Sequence, residues 1–314
     1  MTVMATMVRS VIRFAPAVVV AAWLLGRLVS DRYAWSQWLL WIPTPAVLLV
    51  AAVALAAAAW SETGLGRRRV IAWAAVVLVM VVYFVAIEHR LLRRAPDGDV
   101  AVRLVHGSVE EAWNPKVLAR WGEQLAALGG DVTIVSCMLP PRRIGRLLEQ
   151  FGGLGTSVVS WPFVLVTRLP VLEARPLIAN DGLRVAVFRI DATATLGRVL
   201  TVYAVDLPSD PGRSRVEVAG ALRSILDQVT SVPPDVVVGD FNMTRGSASL
   251  SMTFPRLEHA FNQAGRGYGA SFRRGLPLYH IDHTLLADSV RVVGYDLVDI
   301  GVGRHLVQVV DLAR

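Results

Sequence analysis

Residues 239–242 have the sequence Gly-Asp-Phe-Asn and follow an apolar run that ends at Val238. Side chains two residues apart on a strand point to the same face, so Asp240 and Asn242 are predicted to lie together at a strand end. A carboxylate beside an amide suits the joint binding of a hard cation and a phosphate oxygen. The same two residues could instead cap a turn and have no chemical role.

Other polar residues stand at the ends of further apolar runs. Asp206 ends one run, Asp282 begins another, and His305 lies shortly before the last one. Aspartate and histidine are the side chains that most often act as acids, bases and metal ligands. The motif at residues 239–242 is therefore not isolated, which weakens its interpretation as a simple turn cap.

The elements that would position these residues are short strands and a few helices. Eight apolar runs rich in valine and isoleucine are predicted to be buried strands. They are Val100–Val105, Val132–Val135, Phe163–Thr167, Leu183–Ile190, Leu200–Asp206, Val236–Gly239, Thr284–Ala287 and Gln308–Leu312. Two segments with helical spacing, Pro115–Leu128 and Ser214–Val229, lie between them. Many strands with few helices predict an α/β sandwich, in which packed sheets are flanked by helices.

The amino-terminal part has the composition of a membrane anchor. Ala34–Trp60 and Val70–Ile87 contain no charged residue, and a membrane-spanning helix needs about 20 apolar residues. Val11–Val29 is a third candidate, although Arg13 and Arg27 interrupt it. A signal-peptide core is the alternative for this first segment. We predict three transmembrane helices, with the second kinked by its two prolines.

The domain organisation follows from these segments. Residues 1–88 are predicted to be the membrane anchor, residues 89–98 a linker, and residues 99–314 a single folded domain. Three consecutive arginines at 67–69 favour a cytoplasmic loop by the positive-inside rule. Three spans then place the carboxy-terminal domain outside the cytoplasm. The prediction is a multi-pass protein of the cell membrane, with the lipid bilayer as its partner.

Composition excludes several classes of protein. Hydrophobic residues make up 54% of the chain and charged residues 18%, which excludes a disordered protein. The net charge is +7, but residues 1–88 hold seven arginines and three acidic residues, which leaves 25 basic and 22 acidic residues in 89–314. A nearly neutral domain argues against nucleic acid as the partner. The single cysteine, Cys137, excludes an intramolecular disulfide and a Cys-x-x-Cys zinc site.

Taken in order, the motifs resemble the endonuclease/exonuclease/phosphatase superfamily, which has the deoxyribonuclease I-like fold. The resemblance extends from about Asp99 to the carboxy terminus, and three spans before such a domain are similar to a membrane-anchored bacterial branch. It implies a four-layer α/β sandwich and Mg²⁺-dependent hydrolysis of phosphoester bonds, with a phosphorylated or pyrophosphate lipid as a candidate substrate. Asp240, Asn242, Asp282 and His305 match the family's catalytic residues, and Asp240 is the matching metal ligand.

Four positions depart from the family's pattern. His106 stands where the first strand usually ends in asparagine, and Cys137 stands where the second strand has its metal-binding glutamate. Asp206 replaces the general-acid histidine. Arg304 replaces the aspartate that orients the last histidine, His305, so the tautomer of that histidine is predicted to be uncontrolled.

These departures leave two functions open. The first is a metal-dependent phosphoesterase at the membrane, with Mg²⁺ held weakly at Asp240 and with Arg304, Asp206 and Arg273 binding the substrate. The second is a catalytically lapsed relative that binds an anionic ligand or a protein partner. A purely structural membrane protein is a third class, and the intact motif at residues 239–242 argues against it.

Other groupings of histidine and cysteine predict different chemistry. His106, Cys137 and Asp240 could form a zinc or copper site, although a lone cysteine at a strand end is more often a core residue. His280 and His283 also suggest a pair of metal ligands. Residues three apart on a strand face opposite sides, however, so these two histidines are not expected to share one ion.

Overall fold

The computed structural model describes residues 2–60, 64–94, 96–109 and 114–314 of the chain. It forms two compact units, which are Met1–Leu92 with Ser214–Val216, and Arg93–Arg213 with Glu217–Arg314. Helices alone make up the first unit in its described residues, whereas the second unit combines strands with helices.

The described residues of the first unit up to Tyr83 form four α-helices. They are α1 (Thr2–Val29), α2 (Ser36–Leu40), α3 (Thr44–Ala59) and α4 (Gly64–Tyr83), followed by a π-helical turn over Phe84–Glu88. Among the described residues, the stretch Arg67–Glu88 is long and apolar enough to cross a membrane, with a mean hydropathy of 2.9. The apolar stretches Phe14–Val29 and Thr44–Ala59 are shorter. Three transmembrane helices therefore stay a prediction.

The second predicted span is not a single kinked helix. Ala34–Trp60 contains α2 and α3 with a non-helical break at residues 41–43. Pro43 has an extended backbone, with a ψ of 131°, and directly precedes α3. Proline donates no backbone hydrogen bond and disfavours a helical conformation in the residue before it. Pro43 therefore breaks this segment where the sequence predicted only a kink, whereas Pro45 lies within the first turn of α3.

A polar cluster joins α1, α3 and the π-helical turn. The Arg27 guanidinium lies 3.3 Å from the Glu88 carboxylate, and the Thr44 hydroxyl donates to the same carboxylate at 2.7 Å. Trp23 donates its indole N–H to the Thr44 hydroxyl oxygen at 3.1 Å. A charge in apolar surroundings is costly unless it is paired. Arg27, one of the two arginines that interrupt the first predicted span, is thus neutralised within the unit.

The second unit is built from twelve strands and six helices in its described residues. The strands are β1 (Val102–Val109), β2 (Val132–Cys137), β3 (Thr156–Ser160), β4 (Phe163–Thr167), β5 (Val171–Asn180), β6 (Leu183–Ala192), β7 (Arg198–Asp206), β8 (Val236–Asp240), β9 (Glu258–His259), β10 (Asp282–Leu286), β11 (Arg291–Val298) and β12 (Val307–Ala313). The helices are α5 (Pro115–Ala126), α6 (Pro141–Glu149), α7 (Thr193–Leu196), α8 (Arg215–Val229), α9 (Ala248–Thr253) and α10 (Ala260–Ala264).

The strands form two six-stranded sheets, in the orders β11-β12-β1-β2-β4-β3 and β5-β6-β7-β8-β10-β9. The inner faces share one hydrophobic core, in which Leu104 and Ile134 of the first sheet meet Phe188 and Val238 of the second. Helices α5 and α6 pack on the outer face of the first sheet, and α8 packs on the outer face of the second. The predicted α/β sandwich is therefore present, with four layers.

All eight predicted strands and both predicted helices are present; β4 has the predicted ends, and the ends of the others are shifted. β1 continues to Val109, so His106 lies inside the strand and not at its end. Asn114 caps α5 by accepting the N–H of Lys116 at 2.9 Å. The sequence did not predict β3, β5, β9 and β11. These strands lack a long apolar run; in β5, for example, half of the residues are exposed and Pro176 interrupts the strand.

Candidate functional site

Three aspartates lie side by side at one end of three neighbouring strands of the second sheet. Asp240, the last residue of β8, pairs with Asp206 of β7 on one side and with Asp282 of β10 on the other. Gly239 is required beside Asp240, because a Cβ there would collide with the carbonyl oxygen of Val205. Strand alternation directs all three carboxylates to the inner face, between the two sheets.

His305 lies between two of these carboxylates. Its Nδ1 donates to Asp282 Oδ2 at 2.8 Å, and its Nε2 lies 3.9 Å from Asp240 Oδ2. An ionised carboxylate can only accept, so Nδ1 carries the proton and the neutral ring presents a lone pair at Nε2. All three side chains are at most 6% exposed. This arrangement orients His305 as a base.

The aspartate that orients His305 is therefore Asp282. The sequence predicted that this aspartate had been replaced by Arg304 and that the histidine was left uncontrolled, and that prediction is wrong. β10 carries Asp282 to the loop before β12, although the two residues of the pair are 23 positions apart in the chain. Arg304 borders the neighbouring cleft, and its guanidinium lies 5.3 Å from the centre of the Phe272 ring.

Burial controls the charges of the two carboxylates. Burial, together with the neighbouring charge of Asp282, raises the pKa of Asp240 well above its usual value. Burial also acts to raise the pKa of Asp282, but the positive charge that His305 carries when protonated and its hydrogen bond outweigh burial and lower that pKa. Of the two carboxylates, Asp282 is therefore the one whose ionised form is favoured, whereas burial disfavours the ionised form of Asp240.

The same cluster fits a divalent cation. Asp240, Asp282 and His305 each offer one ligand atom, and these atoms lie within 4.8 Å of one another. Asp282 Oδ1 is buried without a hydrogen-bond partner among the described residues. Buried polar atoms are rarely left unpaired, and a bound cation would satisfy this one. Two carboxylates suit a hard cation, and the imidazole is compatible with a softer one.

Asn242 shapes the loop after β8. Its backbone N–H donates to Asp240 Oδ1 at 2.9 Å, and its φ of +50° lies in the left-handed region that asparagine tolerates. Its side-chain amide donates to the carbonyl oxygen of Leu207 at 2.9 Å. Asn242 also borders the cleft. The turn-cap and binding interpretations of this motif are therefore compatible.

A cleft of about 470 Å³ adjoins the cluster. Two arginines, Arg184 and Arg304, border it, and Arg184 is ion-paired with Asp206 at 3.1 Å. Its other polar lining residues in the described part of the chain are Ser108, Ser136, Ser209, Asp210, Asp240 and Asn242. Guanidinium groups beside a carboxylate cluster suit a phosphate bridged by a cation. Sequence analysis missed Arg184, because nothing distinguishes it there from the many other arginines.

His106 is held by side chains on the inner face of the first sheet. Gln308 donates its amide N–H to His106 Nδ1 at 3.1 Å. The proton of the ring is therefore on Nε2, which donates to Ser136 Oγ at 3.0 Å. Burial lowers the pKa of His106 to about 4, so the ring is neutral near pH 7. Both nitrogens are committed to hydrogen bonds, and His106 is not placed to bind a metal.

Cys137 borders the cleft, but its side chain packs in the core beneath α5 and α6. The alternation of β2 places Ser136, and not Cys137, on the inner face beside His106. Burial raises the pKa of the Cys137 thiol to about 12, so the thiol does not ionise near pH 7. The predicted zinc or copper site of His106, Cys137 and Asp240 is therefore not formed. The inner-face position at the end of β2 is Ser136, which the sequence analysis missed.

The substrate contact of Arg273 stays a prediction, because the structure places this residue outside the cleft. Arg273 is exposed and is not one of the cleft-lining residues in the described part of the chain. Its neighbour Arg274 is the arginine that makes contacts, because it donates its backbone N–H to Arg304 O at 2.7 Å and its Nε–H to Gly303 O at 2.9 Å. Phe272 packs against His305, with 4.8 Å between ring centres.

His280 and His283 lie together, contrary to the prediction. β10 begins at Asp282, so His280 precedes the strand and does not follow its alternation. The two imidazole rings are 4.8 Å apart between centres. With His259 they form a second cluster, whose ligand atoms also lie within 4.8 Å of one another.

Known structures share this fold. The chain is similar to an endonuclease/exonuclease/phosphatase family protein from Bacteroides thetaiotaomicron, with a TM-score of 0.55 and 12% identity over 67% of this chain and 94% of that one. The fold is the endonuclease/exonuclease/phosphatase fold. The mannosyl-6-phosphatase of B. thetaiotaomicron VPI-5482 is also similar, with a TM-score of 0.54 and 12% identity over 68% of this chain and all (100%) of that one.

D. rerio TDP2 in complex with a single-strand DNA product gives a TM-score of 0.52 and 14% identity over 68% of this chain and 99% of that one. No protein-family model matches the sequence, and no curated protein matches it. The similarity confirms the predicted fold of the second unit, while the membrane anchor lies outside what it tests.

Proposed function

We propose that the second unit hydrolyses a phosphoester bond with the help of a divalent cation. The observation that carries this proposal is the buried position of His305 between Asp282 and Asp240, next to a cleft that contains arginine. In-line attack of water on phosphorus requires a base, positive charge near the phosphoryl oxygens and fixed geometry. One solved structure with the same fold is a mannosyl-6-phosphatase, which supports the reaction class.

Each side chain has a distinct role in this proposal. His305 accepts the proton of the attacking water at Nε2, and Asp282 stabilises the imidazolium that forms. Arg304 and Arg184 neutralise charge on the phosphate. Asp240 and Asp282 would hold the cation, which would polarise a phosphoryl oxygen. We propose Mg²⁺ because two carboxylates provide hard oxygen ligands.

We further propose that the substrate is a phosphorylated or pyrophosphate lipid and that the protein acts at the cell membrane. The apolar stretch Arg67–Glu88 supports the bilayer as a partner. The balance of 25 basic and 22 acidic residues in 89–314 argues against a nucleic-acid substrate. TDP2 of the same fold is described with a DNA product, so DNA is included in the test below.

A lapsed enzyme that binds an anion is the second candidate. Asp206 occupies the place of the general-acid histidine in the resemblance and is ion-paired with Arg184 at 3.1 Å. The resemblance implies a glutamate at Cys137, but the residue that faces the centre from β2 is Ser136, which has no carboxylate either. Both differences remove groups that the family uses, and the cleft would then bind phosphate without hydrolysing it.

Phosphate release by the purified full chain distinguishes these two functions. We expect Mg²⁺-dependent release from at least one member of a panel of lipid pyrophosphates, phosphomonoesters and DNA. Asp240→Asn should lower the rate by about 100-fold or more, because losing a proposed ligand exceeds the usual effect of disturbing a ligand's support. Asp288→Asn is the matched control, because this exposed aspartate lies just beyond β10. Binding of inorganic phosphate without any release would instead support the lapsed enzyme.

The proposed location is tested by a reporter fused after Arg314. If the arginines at 67–69 set the orientation, the reporter should be active outside the cytoplasm. A second fusion, at the amino-terminal end of α4 where those arginines lie, should show the opposite location. Cytoplasmic activity of the carboxy-terminal fusion would contradict the proposed orientation and place the substrate inside the cell.

A further inference from the structure

A second buried cluster lies on the other side of β10 from the aspartates. It consists of His259 at the end of β9, His280 just before β10 and His283 within β10. The side chains are nearly inaccessible, because the three residues are only 8%, 7% and 0% exposed. Their ligand atoms lie within 4.8 Å of one another. We name these three residues the histidine cluster.

The histidine cluster leaves five ring nitrogens unpaired. Both nitrogens of His259, both of His280 and Nδ1 of His283 are buried without a hydrogen-bond partner among the described residues. Buried polar atoms are paired in the great majority of cases. The contrast within this protein is His106, whose two nitrogens both bond to side chains. Core packing alone therefore does not account for three neighbouring histidines.

One of the rings is already oriented as a metal ligand would be. His283 Nε2 lies 2.7 Å from the carbonyl oxygen of Met243, and a carbonyl can only accept. The ring proton is therefore on Nε2, and the lone pair is on Nδ1. Metal-binding histidines usually donate their second nitrogen to a carbonyl or carboxylate in this way, which fixes the tautomer and the direction of the lone pair.

We infer that His259, His280 and His283 form a binding site for a borderline transition-metal ion, for which Zn²⁺ is the best candidate. Three imidazoles are the protein ligands of several zinc sites, with a water or another ligand in the fourth position. At a Zn–N distance of about 2.1 Å, a tetrahedral site holds its nitrogens about 3.4 Å apart. Rotation of the imidazoles about their side-chain bonds would close the remaining distance.

The residues around the site bear on which metal ion it selects. The side chain of Arg245 faces the histidine cluster. Its guanidinium lies 4.6 Å from the centre of the Phe261 ring and donates a hydrogen bond to Asn262 Oδ1 at 3.0 Å. A cluster with no carboxylate of its own selects against Mg²⁺, which prefers oxygen ligands.

The site would link the loop after β8 to the strand that carries Asp282. His283 directly follows Asp282 in β10, and it is bonded to the loop at Met243. A bound ion would therefore hold β9, β10 and this loop together on the face opposite the candidate active site. The proposed metal site does not depend on the proposed hydrolysis, because none of its three histidines belongs to the group formed by Asp240, Asp282 and His305.

Metal analysis of the full chain, purified in detergent and stripped with a chelator, tests the inference. We expect that the Asp240→Asn chain rebinds one equivalent of Zn²⁺, although this substitution removes a proposed cation ligand of the candidate active site. His259→Gln and His280→Gln should each lower the affinity for Zn²⁺. The loss should exceed the roughly 10–100-fold that is usual when only a residue supporting a ligand is changed. His89→Gln is the matched control, because His89 lies in the first unit, and it should retain the ion.

Replacement of Zn²⁺ by Co²⁺ gives a readout that needs no histidine variant. Bound Co²⁺ in the unmodified chain should show the visible absorption of a tetrahedral nitrogen site, and excess Mg²⁺ should not displace it. The inference is overturned if the folded, unmodified chain binds Co²⁺ without that absorption. It is equally overturned if the His280→Gln and His259→Gln chains fold and keep their Zn²⁺, or if Asp240→Asn alone removes it.

Discussion

Replacing Asp282 by asparagine should lower phosphoester hydrolysis by about 10²–10⁴-fold, which is the range that a general base contributes. In the protein, the Asp282 carboxylate accepts the Nδ1 proton of His305 at 2.8 Å. Asparagine can donate to Nδ1 instead, which moves the ring proton to Nε2 and removes the lone pair that would accept a proton from water. The substitution also removes one of the two carboxylates proposed to hold the cation.

The measurement is kcat/KM as a function of pH at several Mg²⁺ concentrations. If the wrong tautomer of His305 is the main cause, activity stays low even when Mg²⁺ saturates the site. If weaker binding of the cation is the only cause, excess Mg²⁺ restores the activity. Asp288→Asn makes the same change of charge at an exposed position, and it should retain the activity of the unmodified chain. An Asp282→Asn chain with full activity at saturating Mg²⁺ would show that His305 is not the base.

The fold could be predicted to the level of its layers because its central strands are buried on both faces. Such strands are continuous apolar runs, as in Val236–Val238 of β8, and they stand out against turn residues. Edge strands give a weaker signal. β9 has only two residues, Glu258 and His259, and nothing in their sequence marks a strand. One member of the histidine cluster was therefore missing from the sequence analysis.

Half of the candidate site was visible in the sequence, because Asp240, Asp282 and His305 stand at the ends of predicted strands. Which of them contact one another was not visible. The pairing of His305 with Asp282 depends on how β10 and β12, which belong to different sheets, are placed by the folded chain. From sequence order alone, we assigned the position of the orienting aspartate to Arg304, the residue before His305. The structure shows that the orienting aspartate is Asp282.

The error at Cys137 has a different physical origin. Side chains alternate between the two faces of a strand, so a shift of one residue exchanges the inner and outer faces completely. The apolar run Val132–Val135 is buried on both faces. Its sequence therefore does not reveal which set of alternate residues faces the other sheet. The hydrogen bond from His106 to Ser136 resolves this ambiguity.

That correction predicts opposite results for two adjacent substitutions. Ser136→Glu places a carboxylate on the inner face beside the aspartates, where a cation can satisfy it, and should increase the affinity for Mg²⁺ by about tenfold or more. Cys137→Glu places the same carboxylate in the apolar core beneath α5 and α6. It should lower the free energy of unfolding by at least about 3 kcal/mol, because an unpaired charge is buried.

Thermal unfolding with and without Mg²⁺ separates the two outcomes, since a ligand that binds only the folded state raises the melting temperature with concentration. The Ser136→Glu chain should be destabilised without Mg²⁺ and should recover as Mg²⁺ is added, because the cation neutralises the new carboxylate. The Cys137→Glu chain should melt at a lower temperature at every Mg²⁺ concentration, and Cys137→Ser should cost much less. A Mg²⁺-dependent recovery of Cys137→Glu, with none for Ser136→Glu, would instead return the ligand position to Cys137 and reverse the assigned faces of β2.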